Sequence, residues 1–195
     1  MKKTAAPPLR DSLATKASIL AAARDRFASE GYERATIRAI AADARIDPAL
    51  VMRYFGNKEQ LFSAAAVFDL RIPDISAVPV RDMGAVLARH FVQRWDSDDT
   101  FKALLRAAVT HDVAVERMQE ILTLQLAPAV ARLIPDPENA GLRAALLTSQ
   151  ALGMALSRHI LLFPPLVVLE KDQVAQLMGP VFQAYLFGPV PDARA

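Results

Sequence analysis

Two short helical segments separated by three residues constrain the fold of this chain more than any other feature. The first, Ile37–Ala44, follows Thr36, whose hydroxyl is suited to cap a helix. The second, Pro48–Phe55, opens on a proline, which fits there because the first turn of a helix leaves its amide hydrogens unbonded. Helices of about eight residues are marginal alone in water, so both must pack against a further helix.

An amphipathic segment before this pair provides that support. Over residues 15–30, apolar side chains recur at helical spacing, and Gly31 is suited to end the helix. Two short helices joined by a tight turn and packed on a third form a helix-turn-helix domain, whose last helix enters the major groove of DNA. We expect the three helices to share a core made of Leu20, Phe27, Ile40, Ile46, Val51 and Phe55.

The rest of the chain is also predicted to be helical, which makes the fold class all-α, with a three-helix N-terminal helix-turn-helix domain and a larger helical domain after it. Asn57 caps a fourth helix that we expect to reach Arg71. Further helices are predicted over residues 81–95, 100–111, 112–133, 142–163 and 172–187, with a kink at Pro128. The predicted divisions are a flexible basic arm (1–14), the helix-turn-helix domain (15–62), the larger domain (63–187) and a frayed tail (188–195).

Charge is distributed unevenly along the chain. Residues 1–60 contain eleven Lys or Arg and seven Asp or Glu, a net charge of +4, whereas residues 61–195 contain twelve and fourteen, a net charge of −2. A basic head on a mildly acidic body is typical of a polyanion-binding protein, although chance also produces such asymmetry. The absence of cysteine excludes disulfides, thiolate nucleophiles and cysteine-based zinc sites, and we predict neither a metal nor a cofactor.

Residues 15–62 resemble the N-terminal domain of the tetracycline-repressor (TetR) family of bacterial transcription regulators. The resemblance covers about a quarter of the chain and implies a repressor that binds an inverted-repeat DNA operator as a homodimer and is released by a small effector. The residues that carry it are Ile19, Leu20, Ala21, Ala22, Ala23, Phe27, Glu30, Gly31, Tyr32, Thr36, Ile37, Arg38, Ile40, Ala41, Ala44, Ile46, Tyr54, Phe55, Lys58, Glu59, Leu61 and Phe62.

The sequence departs from the family pattern at two places. Arg45 stands in the turn where glycine is usual, and at a positive φ it would cost roughly 1 kcal/mol relative to glycine, which we expect the fold to tolerate. Met52 and Arg53 replace a tyrosine pair of the third helix. The second departure changes which bases are read rather than whether DNA is bound.

The predicted DNA contacts divide into base readers and phosphate contacts. On the third helix, Arg53 is suited to pair with guanine, while Ala49 and Met52 offer apolar contact to a thymine methyl. Pro48 projects from the same helix, and Arg38 matches a contact position of the family. The predicted phosphate contacts are Thr36, Tyr54 and Lys58.

Four of these residues also have a structural interpretation. Thr36, like Asn57, is explained by helix capping alone. The alternative for Arg53 and Lys58, which we consider weaker than a DNA contact, is a solvated charge, and that for Tyr54 is a partly buried core residue.

The resemblance implies two functions for residues 63–187. The last two helices would pair with those of a second copy, and the helices before them would enclose an apolar effector cavity; the alternative is that all of these residues form the core of a monomer. The predicted dimer residues are Leu146, Ser149, Leu152, Gly153, Leu156, Val174, Leu177, Met178 and Val181. The predicted cavity residues are Phe91, Trp95, Phe101, Met118, Leu122 and Met154.

The sequence also bears on two other classes of function. An enzyme is disfavoured, because the chain has three histidines without a catalytic motif around them and no glycine-rich nucleotide loop. A helical interaction or ligand-binding protein without specific DNA recognition stays open, since Arg53 is the sole basic residue of the third helix. Residues 1–13 lack the apolar segment of a secretory signal, so we expect a cytoplasmic protein, associated with the nucleoid when bound to DNA.

Overall fold

The computed structural model describes residues 9–190, which fold as two compact helical units divided between Val67 and Phe68. Within these residues no strand occurs, which confirms the all-α prediction. None of the helices over this range is both long and apolar enough to cross a membrane.

The first unit contains the four expected helices, α1 (Leu9–Arg34), α2 (Ile37–Ala44), α3 (Pro48–Phe55) and α4 (Lys58–Ala65). Gly31 interrupts α1 with the non-helical angles φ 79° and ψ 167°. A short helical stretch after this break ends at Arg34, shortly before α2 begins. The predicted arm is wrong over residues 9–14, which belong to α1, because nothing after Pro8 opposes a helix; residues 1–8 lie outside the described range.

Local side-chain caps fix the start of each short helix. Thr36 accepts a hydrogen bond from the amide of Ala39 at 3.1 Å, and Asp47 accepts one from that of Ala49 at 2.7 Å. Asn57 likewise accepts from Gln60 at 2.8 Å. Each bond satisfies an amide that the first helical turn leaves without a partner, which is why these boundaries follow from the sequence.

The core of this unit is centred on aromatic rings. Phe62 of α4 meets Phe27 and Tyr32 edge-on, with ring centroids 5.0 and 5.1 Å away. Of the predicted core, Phe27, Ile40 and Val51 are buried, whereas Leu20, Ile46 and Phe55 are half-buried. The predicted set lacks Ile19, Leu61 and Phe62, which are fully buried in this unit.

The second unit starts with an irregular segment rather than the expected end of the fourth helix. α4 stops at Ala65, and the chain is non-helical as far as η1, a short 3₁₀ turn at Val80–Asp82. Phe68 and Leu70 in this segment are only 2% and 4% exposed. The helix predicted to reach Arg71 is therefore wrong, because burying these two side chains in the second unit outweighs the local preference for helix.

Seven further α-helices follow among the described residues: α5 (Met83–Asp96), α6 (Asp99–Ala107), α7 (Asp112–Glu120), α8 (Ala127–Ala131), α9 (Ala140–His159), α10 (Pro164–Val167) and α11 (Lys171–Phe187). The single helix predicted over residues 112–133 is divided by a π-helical turn, Ile121–Leu126, which precedes Pro128. Proline has no backbone N–H and cannot donate the hydrogen bond that a continuous α-helix requires at that position. The helical hydrogen-bond pattern therefore changes just before Pro128. Residues 188–190 are non-helical, and residues 191–195 lie outside the described range.

A close approach of two helices organises this unit. α5 and α11 pack so tightly that a Cβ on Gly84 would lie 2.5 Å from the amide nitrogen of Gln183 and 2.6 Å from the carbonyl oxygen of Gly179. The side-chain amide of Gln183 completes the contact, accepting from the Gly84 amide and donating to the Val80 carbonyl, both at 2.9 Å.

Candidate nucleic-acid interface

The turn between α2 and α3 depends on a left-handed residue. Arg45 has φ 56° and ψ 44°, and its amide donates to the Ala42 carbonyl at 3.0 Å, while that of Ile46 donates to Ala41 at 2.9 Å. These bonds close the end of α2. The backbone therefore has the positive φ anticipated for this position, and arginine adopts it.

One side of α3 is anchored and the other is open. Val51 is completely buried, whereas Pro48, Ala49, Met52 and Arg53 are exposed, Met52 by 44%. Ala49, Met52 and Arg53 are spaced three and four residues apart, so they share one face of the helix. The structure thus brings the predicted base readers of α3 together on a solvent-facing surface.

Three arginines of α2, the turn and α3 have unoccupied guanidinium groups. Arg38, Arg45 and Arg53 are exposed, and no hydrogen bond or ion pair joins their side chains to any other residue between 12 and 190. Arginine carries five N–H donors in a planar fork that matches phosphate oxygens and the edge of guanine. Arg45, which the sequence suggested only as a strained turn residue, therefore joins the candidate contacts.

Lys58 makes two contacts within the first unit. Its Nζ donates to the Glu33 carbonyl at 3.1 Å and lies 4.4 Å from the centroid of the Tyr32 ring. Burial raises the pKa of the Tyr32 hydroxyl. Lys58 is only half-buried and this bond occupies one of the three N–H groups of its ammonium, so the phosphate contact and the solvated charge both stay predictions.

The other two phosphate candidates have partial structural roles. The Thr36 hydroxyl accepts the capping bond of α2 but keeps its own O–H as a donor. Tyr54 is half-buried, and Lys16 places its ammonium 5.5 Å from the centroid of the tyrosine ring. The contact with Lys16 does not involve the tyrosine hydroxyl.

An ion pair that the sequence did not indicate braces the support of this surface. Arg26 of α1 donates to both carboxylate oxygens of Asp43 in α2, at 2.6 and 2.7 Å, and to Glu30 at 2.5 Å. The guanidinium holds the pKa of the Asp43 carboxyl below its usual value. Seventeen residues separate Arg26 from Asp43, so helical spacing gives no hint of the pair.

The second unit contains two adjacent apolar cavities. An enclosed chamber of about 40 Å³ lies beside an open cleft of about 420 Å³, and both are lined by Met118, Leu122, Thr148 and Leu152. Phe91, Trp95 and Phe101 line the chamber but not the cleft. Met154, predicted with them, lines neither cavity, because it occupies a different face of α9 from Thr148, Leu152 and Leu156.

The predicted dimer residues occupy three environments. Val174 and Met178 are 0% and 1% exposed within a single chain, so their assignment to a dimer interface is wrong; they are core residues. Leu152, Gly153 and Leu156 line the open cleft. The remaining four form an outward set that is exposed or half-exposed: Leu146, Ser149, Leu177 and Val181.

Comparison with known proteins gives matches over both units. Residues 19–65 match the family model of bacterial regulatory proteins of the tetR family, and residues 82–186 match that of the tetracyclin repressor-like C-terminal domain. The transcriptional repressor SCO4008 of Streptomyces coelicolor is 44% identical over 72 residues, which is 36% of this chain and 36% of the relative. The chain thus aligns with about a third of that relative's length.

Solved structures share the whole fold. NalD, the secondary repressor of the MexAB-OprM multidrug efflux pump in Pseudomonas aeruginosa, superposes with a TM-score of 0.63 at 20% identity, covering 94% of this chain and 99% of NalD. A transcriptional regulator from Rhodococcus superposes with a TM-score of 0.65 at 18% identity, covering 90% and 99% of the two chains.

Proposed function

This chain belongs to the tetR family of bacterial regulatory proteins, and on that premise we propose that it is a transcriptional repressor, which binds an inverted-repeat operator as a homodimer and leaves it when a small hydrophobic effector binds the second unit. The observation that carries the proposal is the exposed face of α3. Ala49, Met52 and Arg53 point to solvent while Val51 fixes the helix from behind.

Sequence readout is assigned to that face. The Arg53 guanidinium would donate to O6 and N7 of a guanine, and the apolar Ala49 and Met52 would contact thymine methyl groups. Binding energy would come mainly from phosphates, which Arg38, Arg45 and Lys58 are suited to contact. Thr36 and Tyr54 would add neutral hydrogen bonds to the same backbone.

The homodimer follows from the small number of base pairs that one such helix reads. Two copies related by a two-fold axis read two half-sites, which gains specificity on an inverted repeat. We assign the interface to the outward set on α9 and α11 (Leu146, Ser149, Leu177 and Val181), within which Leu177 is an apolar side chain 59% exposed in the single chain.

The effector is assigned to the cleft and chamber of the second unit. A volume of about 420 Å³ falls in the range of small-molecule pockets. The cleft lining is apolar apart from Thr148 and Gln119, and the Thr148 hydroxyl already donates to the Ala144 carbonyl at 2.8 Å. An occupant would therefore be mostly apolar, and it would shift DNA affinity only by binding the two states of the protein unequally.

Selection of bound fragments from a random DNA pool at physiological ionic strength, followed by sequencing, tests the proposal. Recovery of an inverted repeat supports a two-fold dimer that reads sequence. Recovery of no motif, with affinity that falls steeply as salt rises, would mean backbone attraction alone. The chain would then be an interaction or ligand-binding protein. As a regulator of this kind it would act in the cytoplasm, at the nucleoid.

A further inference from the structure

The first residues of the second unit are held by side chains from two other elements. Gln125 accepts a hydrogen bond from the Leu70 amide at 2.8 Å and donates one to the Phe68 carbonyl at 3.0 Å. Arg94 donates to the Asp69 carbonyl at 2.8 Å, and His90 Nε2 donates to that of Leu70 at 2.7 Å. This bracketed segment, residues 68–70, begins directly after Val67, the last residue of the first unit.

The residue that makes two of these bonds belongs to the π-helical turn. Gln125 lies between Leu122 and Leu126, both of which line the enclosed chamber, and Leu122 also lines the open cleft. Leu70 itself lines the chamber. In the π-helical turn, Gln125, which bonds the backbone of residues 68 and 70, is followed directly by Leu126, which lines the chamber. Turns of this kind occur frequently at functional sites.

The residues that line both cavities must move if one occupant is to fill both, because the chamber is much smaller than the cleft. The chamber, at about 40 Å³, has about a tenth of the volume of the open cleft and is far smaller than the roughly 300 Å³ at which small-molecule pockets begin. An occupant of the open cleft that extends into the chamber must displace Leu122 or its neighbours. Because Gln125 is fixed to the same turn, such a displacement alters the geometry of its two hydrogen bonds.

We infer that Gln125 is a positioning residue that couples the cavity to the segment joining the two units: an apolar occupant shifts the π-helical turn, breaks the Gln125 bracket and releases residues 68–70. The inference rests on the proposed function for its consequence at DNA. The release itself concerns the second unit alone. Without the bracket, the link to the DNA-binding unit loses two of its four side-chain anchors.

In the experiment, a larger side chain that fills the chamber takes the place of the unidentified occupant. Ala151 lines the chamber and is 4% exposed, so Ala151→Leu fills it from within. Hydrogen exchange of the full-length protein without DNA is measured for wild type, Ala151→Leu, Gln125→Leu and the double variant. If Ala151→Leu fails to fold, the smaller Ala151→Val takes its place.

Gln183 provides a matched control. Its side-chain amide makes the same two-bond bracket, to Gly84 and Val80, but it lines neither cavity. Gln183→Leu therefore removes equivalent bonds elsewhere in the unit. Gln125→Glu is the graded variant, since a carboxylate still accepts from Leu70 but donates nothing to Phe68.

We expect Gln125→Leu and Ala151→Leu each to raise exchange of the Leu70 amide by about tenfold or more, the scale set by losing two hydrogen bonds. The double variant exchanges no faster than Gln125→Leu, Gln125→Glu is intermediate, and Gln183→Leu matches wild type at this amide. Unchanged exchange in Ala151→Leu, or effects that add in the double variant, would overturn the inference.

A second readout separates this inference from the proposed function. On a selected operator, Ala151→Leu raises the dissociation constant in the wild-type background and not in the Gln125→Leu background. Equal effects in both backgrounds would overturn the coupling role of Gln125. If no operator is recovered, the proposed function fails, and hydrogen exchange alone still decides whether filling the chamber releases residues 68–70.

Discussion

Arg26 and Asp43 join α1 to α2 through two parallel hydrogen bonds, at 2.6 and 2.7 Å, from one guanidinium to one carboxylate. Paired geometry of this kind fixes direction as well as distance. α2 carries Arg38 and leads directly into the turn at Arg45. By fixing α2 against α1, the ion pair therefore also fixes the position of these DNA-facing residues.

Asp43→Asn removes the charge of this pair and makes the unfolding of the first unit less sensitive to acid. The pKa of Asp43 is lowered in the fold by Arg26, so its contribution to stability is complete above the ordinary aspartate pKa of about 4 and is lost as the pH falls through the lower folded value. Urea unfolding of wild type between pH 3 and 7 should show this loss, and the variant should lack it. Asp25→Asn, on an exposed carboxylate of α1, is the control; identical pH profiles for wild type and Asp43→Asn would contradict the assignment.

Lys58→Ala weakens binding to all DNA sequences alike. Loss of one phosphate contact lowers the slope of log affinity against log salt by about 1. The same variant also loses the bond to Glu33 and the contact with Tyr32, so urea unfolding should show a less stable first unit. Lys171→Ala in the second unit controls for lost charge, and an unchanged salt slope in Lys58→Ala would exclude the phosphate role.

Gly84→Ala tests the close approach of α5 and α11. A methyl group there meets backbone atoms of α11 at 2.5 and 2.6 Å, so the helices must separate, at a cost of about 1–3 kcal/mol in the free energy of unfolding. Gly141 in α9 has open space around its Cβ position, and Gly141→Ala should stabilise by about 0.5–1 kcal/mol through helix propensity. Equal effects of the two substitutions in urea unfolding would show that α5 and α11 pack less closely than the distances at Gly84 indicate.

Leu177→Glu tests the assigned dimer interface. Two-fold symmetry buries the substituted side chain twice, so we expect the dimer dissociation constant to rise by about tenfold or more. Sedimentation measured over a range of concentrations gives this constant. Leu124→Glu, at a side chain 72% exposed on the π-helical turn, is the control. Unaltered association of Leu177→Glu would move the interface away from α11.

The helix-turn-helix unit could be predicted because its boundaries depend on neighbours in sequence. Thr36, Asp47 and Asn57 each bond an amide two or three residues away, so the capping pattern is legible without tertiary information. At Arg45 the signal was the family resemblance, in which glycine is usual, and the observed φ is 56°.

Features that depend on distant residues could not be predicted. The segment after Ala65 favours helix locally, yet Phe68 and Leu70 are buried in the second unit and Gln125 holds their backbone from more than fifty residues away. Periodicity along α11 likewise identified apolar residues without showing which face meets α5. Val174 and Met178 are consequently core residues, while Leu177 on the same helix is exposed.

The most direct test of the account compares specific with non-specific DNA binding at physiological ionic strength. Dissociation constants are measured for wild type and Arg53→Ala on a selected inverted repeat and on a shuffled duplex of equal length, with Arg106→Ala of the second unit as the control. We predict that wild type prefers the operator by about a thousandfold or more. Arg53→Ala should lose about 1–3 kcal/mol on the operator and little on the shuffled duplex. Equal wild-type affinity for both duplexes, falling together as salt rises, would contradict sequence recognition by α3.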